Sequence, residues 1–495
     1  MRHLPTYSLN IVSRFIRAGF LVSSLAILLA ACGGGGGGGT AGTGSNGGTG
    51  TGGTGGTGNS GGTSTSNSLA TFADPAGTNG HRPQLMVDAN GVQHLVYFGF
   101  SGMTVNGSTV YPVRYGECAS NCGAASSWSF VTVANAGSFG GEARLGLDTS
   151  GHPRVMYQYV PALSSTVSSW HYAECNANCA TSASNWTDAL VFDLKGNSSY
   201  TPGFHNFAVD AGGGMHLIYA IYENGNNHTN YLECSSSCSN ASNWKSLLLN
   251  ATDQDIASIA VTSTGGVRAL FTSTSTKYLR YRECNTNCAA SIANWGTADT
   301  PIYFANGTHS RIVIGPKGTL HIAWFQGNTS DPKSLPTINL MLYSYCNGTC
   351  TNDLNWVGST VDLPVDDGKD GFDLAVDASG TPAIAYKMAS GGLGLNVCTA
   401  NCTNPNTSVW KNSVNLETSD SVGAEILPPP SSCTSPDTPL TSYWFPGYEP
   451  SIALVGTSAV AIAHRTTSTE ACKNPTTLGI TTHDGPSLIR MRLVQ

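Results

Sequence analysis

From residue 69 onward, apolar and polar side chains alternate with a period of two in short runs broken by turn residues, the pattern of half-buried strands. Helical periodicity is absent outside the first thirty residues. One alternating unit occurs seven times, and its first copy reads Leu85-Met-Val87-Asp88-Ala-Asn-Gly91-Val-Gln-His94-Leu-Val-Tyr97. The next three are Leu145…Asp148…Gly151…Tyr157, Phe207…Asp210…Gly213…Tyr219 and Ile259…Val261…Gly265…Phe271. Ile312…Ile314…Gly318…Trp324, Leu374…Asp377…Gly380…Tyr386 and Ile452…Leu454…Ser458…His464 complete the set. Each predicts two strands about a tight turn, where the aspartate accepts from the following backbone and the glycine takes a positive φ. The position after each leading residue is mostly small: Met86, Gly146, Ala208, Ala260, Val313, Ala375 and Ala453. Such residues suit an innermost strand lining a narrow channel, with Leu85, Val87 and their equivalents packed between sheets.

A second unit, out of phase with the first, joins an aromatic strand to two cysteines four apart and then a tryptophan. It reads Tyr115-Gly-Glu117-Cys118…Cys122…Trp128, then Tyr172-Ala-Glu174-Cys175…Cys179…Trp186, then Tyr231-Leu-Glu233-Cys234…Cys238…Trp244. Looser copies follow at Cys284/Cys288/Trp295, Cys346/Cys350/Trp356 and Cys398/Cys402/Trp410. Repeats of 50 to 62 residues mark a propeller or array. Together the two units give four strands in about 61 residues. The expected fold is all-β: a seven-bladed β-propeller of four-stranded antiparallel blades over residues 69–495. The seventh blade has no cystine tip of its own, and Leu478–Thr482 and Leu488–Leu493 are expected to be its outer strands.

The first hairpin resembles the bacterial branch of sialidase-like propellers, whose blades repeat Ser-x-x-Val-Asp-x-x-Gly-x-x-His-(Ile/Val)-x-Tyr. The resemblance spans the whole globular part and implies the same fold. The Asp-box of true sialidases is missing, its place taken by the cysteine tip, as in Cys234-Ser-Ser-Ser-Cys238-Ser-Asn-Ala-Ser-Asn-Trp244.

The N-terminus changes the picture of where such a domain sits. Arg2, Arg14 and Arg17 precede an apolar run, Ala18 to Ala30, too short for a stable membrane span. Its end, Leu29-Ala30-Ala31-Cys32, resembles the lipobox of bacterial lipoproteins, which implies cleavage after residue 31 and lipidation of Cys32. Gly33 beside it implies an outer-membrane destination, periplasmic or surface-exposed. Residues 32–68 then read as a lipidated cysteine and a flexible Gly/Thr/Ser linker, with nothing apolar to offset its ordering entropy. As a coil it would span roughly 30–35 Å.

Fifteen cysteines resolve into Cys32, six Cys-x-x-x-Cys pairs, and Cys433 with Cys472. In an exported chain this reads as a disulfide framework: Cys118–Cys122, Cys175–Cys179, Cys234–Cys238, Cys284–Cys288, Cys346–Cys350, Cys398–Cys402 and Cys433–Cys472. The rival reading is metal or haem ligation. No Cys-x-x-Cys-His occurs, and separate blades could not share one ion, so no metal and no cofactor are expected. Charged residues are 11% of the chain and the formal charge is −7. With no Lys/Arg cluster, nucleic acid is not an expected partner. A monomer is expected.

In a propeller, the turns between strands 1 and 2 and between 3 and 4 share one end, here the monotonous Asp-x-x-Gly turns and cystine tips. Irregular segments gather at the other end, where binding usually resides. The longest carries Cys433 and Tyr443-Trp444-Phe445-Pro446-Gly447-Tyr448. Residues repeated around the ring (Glu117, Glu174, Glu233, Glu283; Asp88, Asp148, Asp210, Asp377; His94, His216, His321) are expected to be structural. Non-repeating polar residues at the inner-strand starts are the candidates for ligand binding: Arg82, Gln84, Arg144, His205, Asn206, His309, Arg311 and Asp373, with Trp444 and Tyr448 beside them. Arginines suit an acidic sugar through paired Arg–carboxylate bonds. The expected function is a non-catalytic binding or scaffold module for a glycan or envelope protein. The alternative is a glycan-cleaving hydrolase or lyase using Glu142, Asp255, Asp373 or Glu449.

Overall fold

The computed structural model describes residues 68–494 apart from connecting segments, chiefly 73–79, 136–142, 161–167, 327–339 and 363–370. The signal segment, Cys32 and the linker up to residue 67 lie outside the described residues.

Seven antiparallel sheets stand in a closed ring as a β-propeller. Blade 1 pairs Gly80–Val87, Gln93–Gly99, Pro112–Cys118 and Ser129–Asn135 in that order from the axis outward. Blades 2 to 6 repeat the order; in blade 3 the first strand is broken into Ser199–Thr201 and Phe207–Val209, both on Met215–Glu223. Seven separate apolar clusters fill the seven junctions between neighbouring blades, and the seventh, around Leu85, Tyr97, Ala463 and Met491, joins blade 7 to blade 1.

Alternation along the innermost strands packs residues toward both neighbouring blades, and the mostly small positions border the channel as expected. Leu85, Leu145, Ile259 and Ile312 face the preceding blade; Met86, Ala260, Val313 and Ala375 face the following one. Blades converge toward the axis, and the second set is mostly small, which admits the neighbouring blade. Gly146 is the extreme case, since a Cβ there would stand 2.3 Å from Val209 Cγ2. The axial channel, about 420 Å³, runs between the strand edges, bounded by residues 84–87 of blade 1 and their equivalents.

Each tip fastens to the blade before it. Trp186 donates its indole N–H to Cys179 O at 2.8 Å and meets Tyr115 of blade 1 edge-on, ring centres 5.0 Å apart. The pairs Tyr172–Trp244, Tyr231–Trp295, Tyr281–Trp356 and Tyr343–Trp410 repeat the contact. The same tyrosines carry the repeated polar residues. Tyr115 OH donates to Glu117 at 3.0 Å and lies 2.6 Å from His94 Nδ1, and Tyr231 does likewise with Glu233 and His216. In the turns, Asp88 Oδ1 accepts from Asn90 N and Val92 N, and Gly91 sits at φ 82°. All seven disulfides are formed in the expected pairing.

Blade 7 departs from the expectation. Its outermost strand is Ser68–Phe72, paired Ser68 to Leu493 and Phe72 to Ile489, and not a segment near the C-terminus. Residues 480–494 form one continuous third strand, so the two short outer strands expected there merge. The supposed loop around residues 438–448 is also strand, part of Thr438–Val455, which pairs with Ala459–Lys473. These three strands outrun the other blades and rise as a wall beyond the ring.

Candidate functional site

At the end of the ring opposite the cystine tips, an innermost strand has no neighbour on its axial side. Its backbone N–H groups there need partners. Most junctions answer with a side chain, and one with a backbone carbonyl. Gln84 Oε1 accepts from Leu145 N at 2.9 Å, Ser258 Oγ from Ile312 N at 2.9 Å, and Ser451 Oγ from Leu85 N at 3.0 Å. Asp373 Oδ2 accepts from Ile452 N at 3.0 Å, and His205 O from Ile259 N at 2.8 Å. Arg144 Nε donates to Asn206 Oδ1 at 2.9 Å, and Arg311 Nε to Asp373 Oδ1 at 2.8 Å. These bonds close a polar belt from blade to blade around the axis.

The belt absorbs several residues nominated for ligand binding. Arg144 and Asn206 are each 1% exposed, a burial that leaves no surface with which to grip a ligand. His205 crosses the axis from blade 3 to blade 6, its Nε2 3.4 Å from both Phe372 O and Asp373 Oδ1. Burial brings its imidazole down to about 3 in spite of the neighbouring Asp373 carboxylate, so the ring is neutral near pH 7. Asp373 spends both oxygens, on Arg311 and Leu374 N through one and on Ser451 and Ile452 N through the other. His309 stands half-buried on the first strand of blade 5. Glu142 lies outside the described residues, as does the side chain of Asp255.

A second group gathers where blades 6, 7 and 1 meet. Arg82 N donates to Glu449 Oε2 at 2.7 Å, Arg465 Nε stands 3.2 Å from the same oxygen, and His81 Nδ1 is 3.8 Å from Oε1. Burial pushes the Glu449 carboxyl up, yet Arg465, His81 and Arg82 together hold it far below the usual carboxylate range. Tyr448 lies between two cations, with Lys387 Nζ 3.7 Å and Arg465 Cζ 5.1 Å from its ring centre. A gap of about 10 Å³, close to the size of one water, is bounded by Arg82, Gln84, Arg144, His205 and Glu449. Arg82 and Glu449 both hold left-handed backbone, φ 51° and 49°, a conformation that costs free energy at non-glycine residues.

The wall supplies the third part. On its middle strand, residues 466, 468, 470 and 472 are buried, whereas 465, 467, 469, 471 and 473 are half-exposed. The buried face is covered by the short helix Ser419–Glu425 and by the segment that Cys433–Cys472 pins down, where Glu470 accepts from Ser431 Oγ and Cys433 N. Trp444, nominated as an open ring, belongs to that face, opposite Ser468, and is 5% exposed. Its neighbour Tyr443 is the open one, at 51%. Below, Glu417 is fully buried between Arg490 Nε at 2.9 Å, Arg492 Nε at 3.2 Å and His464 Nε2 at 3.3 Å. Burial works against that carboxyl, but these partners hold it down at about 2. Cys433, Glu470 and Cys472 also come together, but the two sulfurs are bonded to each other and offer no thiolate to a metal.

His81, Lys387 and Arg465 are not among the sequence candidates, and Tyr443 falls in the aromatic segment without being one of them. His81 adjoins the nominated Arg82 and, like it, does not repeat around the ring; Lys387 and Arg465 have no such flag.

No protein-family model matches the chain, and no curated protein does. Among solved structures it is similar to a protein of unknown function from Dyadobacter fermentans, at 11% identity over 86% of this chain and 98% of that one, with a TM-score of 0.40. It is also similar to an ulvan lyase of polysaccharide lyase family PL25, at 10% identity over 84% and 96% of the two chains, with a TM-score of 0.45. A third is the NanB sialidase from Streptococcus pneumoniae, at 11% identity over 85% and 69%, with a TM-score of 0.39. The likeness to all three is one of fold.

Proposed function

We propose that this chain is an outer-membrane lipoprotein, held through Cys32, whose propeller is a non-catalytic binding module for a glycan or an envelope protein. The carrying observation is the cluster at the junction of blades 6, 7 and 1. Arg82, Arg465, Lys387 and His81 converge on a single carboxylate and a single aromatic ring, and two strained residues hold them there. Fixed cations beside an aromatic face suit a polar ligand with an anionic group. Left-handed backbone recurs at the cystine tips, mostly on asparagine, but here it falls on an arginine and a glutamate that bond to one another, and strain of that kind clusters at functional sites.

Glycan cleavage would ask for a carboxyl able to hold a proton near neutral pH. Glu449 is driven the other way by its cations, and Asp373 is occupied by the belt. The test uses the full-length protein on a glycan array, with Lys387→Ala and Arg465→Ala compared against wild type and a broad substrate panel assayed in parallel. Binding weakened about tenfold or more in both variants, without turnover, is the expected result. Turnover of any panel member that either substitution abolishes would replace the reading with the enzymatic one.

A further inference from the structure

We infer that the open face of the blade 7 wall is an extended platform for an anionic polysaccharide chain lying along the strand Ala459–Lys473. This rests on the binding reading above and gives it a ligand class and a direction.

Residues directly opposite one another in an antiparallel sheet share a face. Thr467 stands opposite Phe445, Thr469 opposite Tyr443, and Ala471 opposite Thr441. The open face therefore carries two aromatic rings, 6.5 Å between centres, beside a row of threonines. Arg465 begins that row and Lys473 ends it. The distance between them is about 27 Å at the rise of an antiparallel strand, longer than any single sugar. Arg465 also belongs to the cluster around Glu449, so the platform runs without a break into the candidate site.

The chemistry of the face selects among partners. An aromatic ring offers apolar area to the C–H side of a pyranose while the sugar hydroxyls stay in water or meet threonine hydroxyls. A stable protein interface would want a broad apolar core in the middle of the patch, and here the Phe445 and Tyr443 rings are flanked by Thr467, Thr469 and Ala471. Cations at both ends favour carboxylate or sulfate groups on the chain. Arg465 is shared with Glu449 and Asp484 stands opposite Thr469 in the register, so the draw on anionic groups rests chiefly on Lys473. Rigidity comes from behind: the helix Ser419–Glu425 and the Cys433–Cys472 bridge back the opposite face, so the platform is organised before a ligand arrives.

The experiment titrates full-length protein, reconstituted in nanodiscs, with polygalacturonate fragments of two and eight residues and with a neutral maltooligosaccharide of eight. Tyr443→Ala and Lys473→Ala are compared with Lys387→Ala, and thermal unfolding confirms that each variant folds. Tyr443→Ala and Lys473→Ala should each weaken the octamer about tenfold while leaving the dimer unchanged, and added salt should weaken the octamer further. Wild-type octamer binding in both wall variants, with loss only in Lys387→Ala, overturns the platform and leaves the binding reading standing. Equal binding of the neutral octamer overturns the anionic class. No saccharide binding in any form of the protein overturns the platform and leaves an envelope protein as the ligand of the binding reading.

Discussion

Blades 1 to 6 and blade 7 solve the same problem by opposite means. The first six hold their outer strands with short cystine tips and fasten to one another through Tyr–Trp contacts, a local device repeated with little change. Blade 7 has no tip. It draws one strand from each end of the described chain, spans 39 residues with its disulfide, and buries a carboxylate among two arginines and a histidine. Repetition builds the scaffold, and the blade that breaks it carries the wall, Tyr448, Glu449 and Arg465.

This contrast can be broken most forcefully at the seam. Deleting residues 68–72 strips the outer strand from blade 7, and we expect a loss of more than about 4 kcal/mol, visible as early, broadened thermal unfolding. A deletion that leaves the melting temperature within a few degrees of wild type would show the ring closes without that strand.

Next in size is Glu417→Gln, which leaves Arg490 and Arg492 buried beside a neutral partner and should cost about 3–5 kcal/mol in urea unfolding at pH 7. The folded carboxyl stands at about 2 against 4.5 for the free group. Its stabilisation is therefore complete above pH 4.5 and disappears as the pH falls toward 2. Wild type should lose stability through that window, and the variant should lose correspondingly less. Parallel pH profiles would remove Glu417 from the account.

The smallest effect sharpens the comparison directly. Replacing Cys118 and Cys122 by alanine frees a five-residue loop worth about 2 kcal/mol by chain entropy, whereas replacing Cys433 and Cys472 frees a long one worth about 4. Guanidinium unfolding of the two double variants should rank them in that order, and equal losses would mean that the long bridge acts on the wall alone.

Much of the fold was legible in the sequence because strand alternation, Asp-x-x-Gly turns and the cystine-tip spacing are local signals. The seam was not. Ser68–Phe72 is five residues whose partner stands at the far end of the chain, and no periodicity records such pairing. The site was half legible for a different physical reason. Gln84, Ser258, Ser451 and Asp373 meet one shared need, the unpaired backbone at the inner-strand ends, with an amide, two hydroxyls and a carboxylate. Irregularity that looks like function is there partly bookkeeping of hydrogen bonds. Choosing between Trp444 and Tyr443 required knowing which face the helix Ser419–Glu425 covers, and alternation alone names two faces without saying which is wet.

The strand Ser68–Phe72 has a consequence for how the molecule comes into being. Its partner, residues 489–493, follows every other blade in the described chain, so the circle stays open until that segment has been made. A chain interrupted in blade 6 or 7 would leave two unpaired sheet edges exposed to proteases and to other chains. Only a copy that carries both segments can shut, which makes closure of the ring its own inspection.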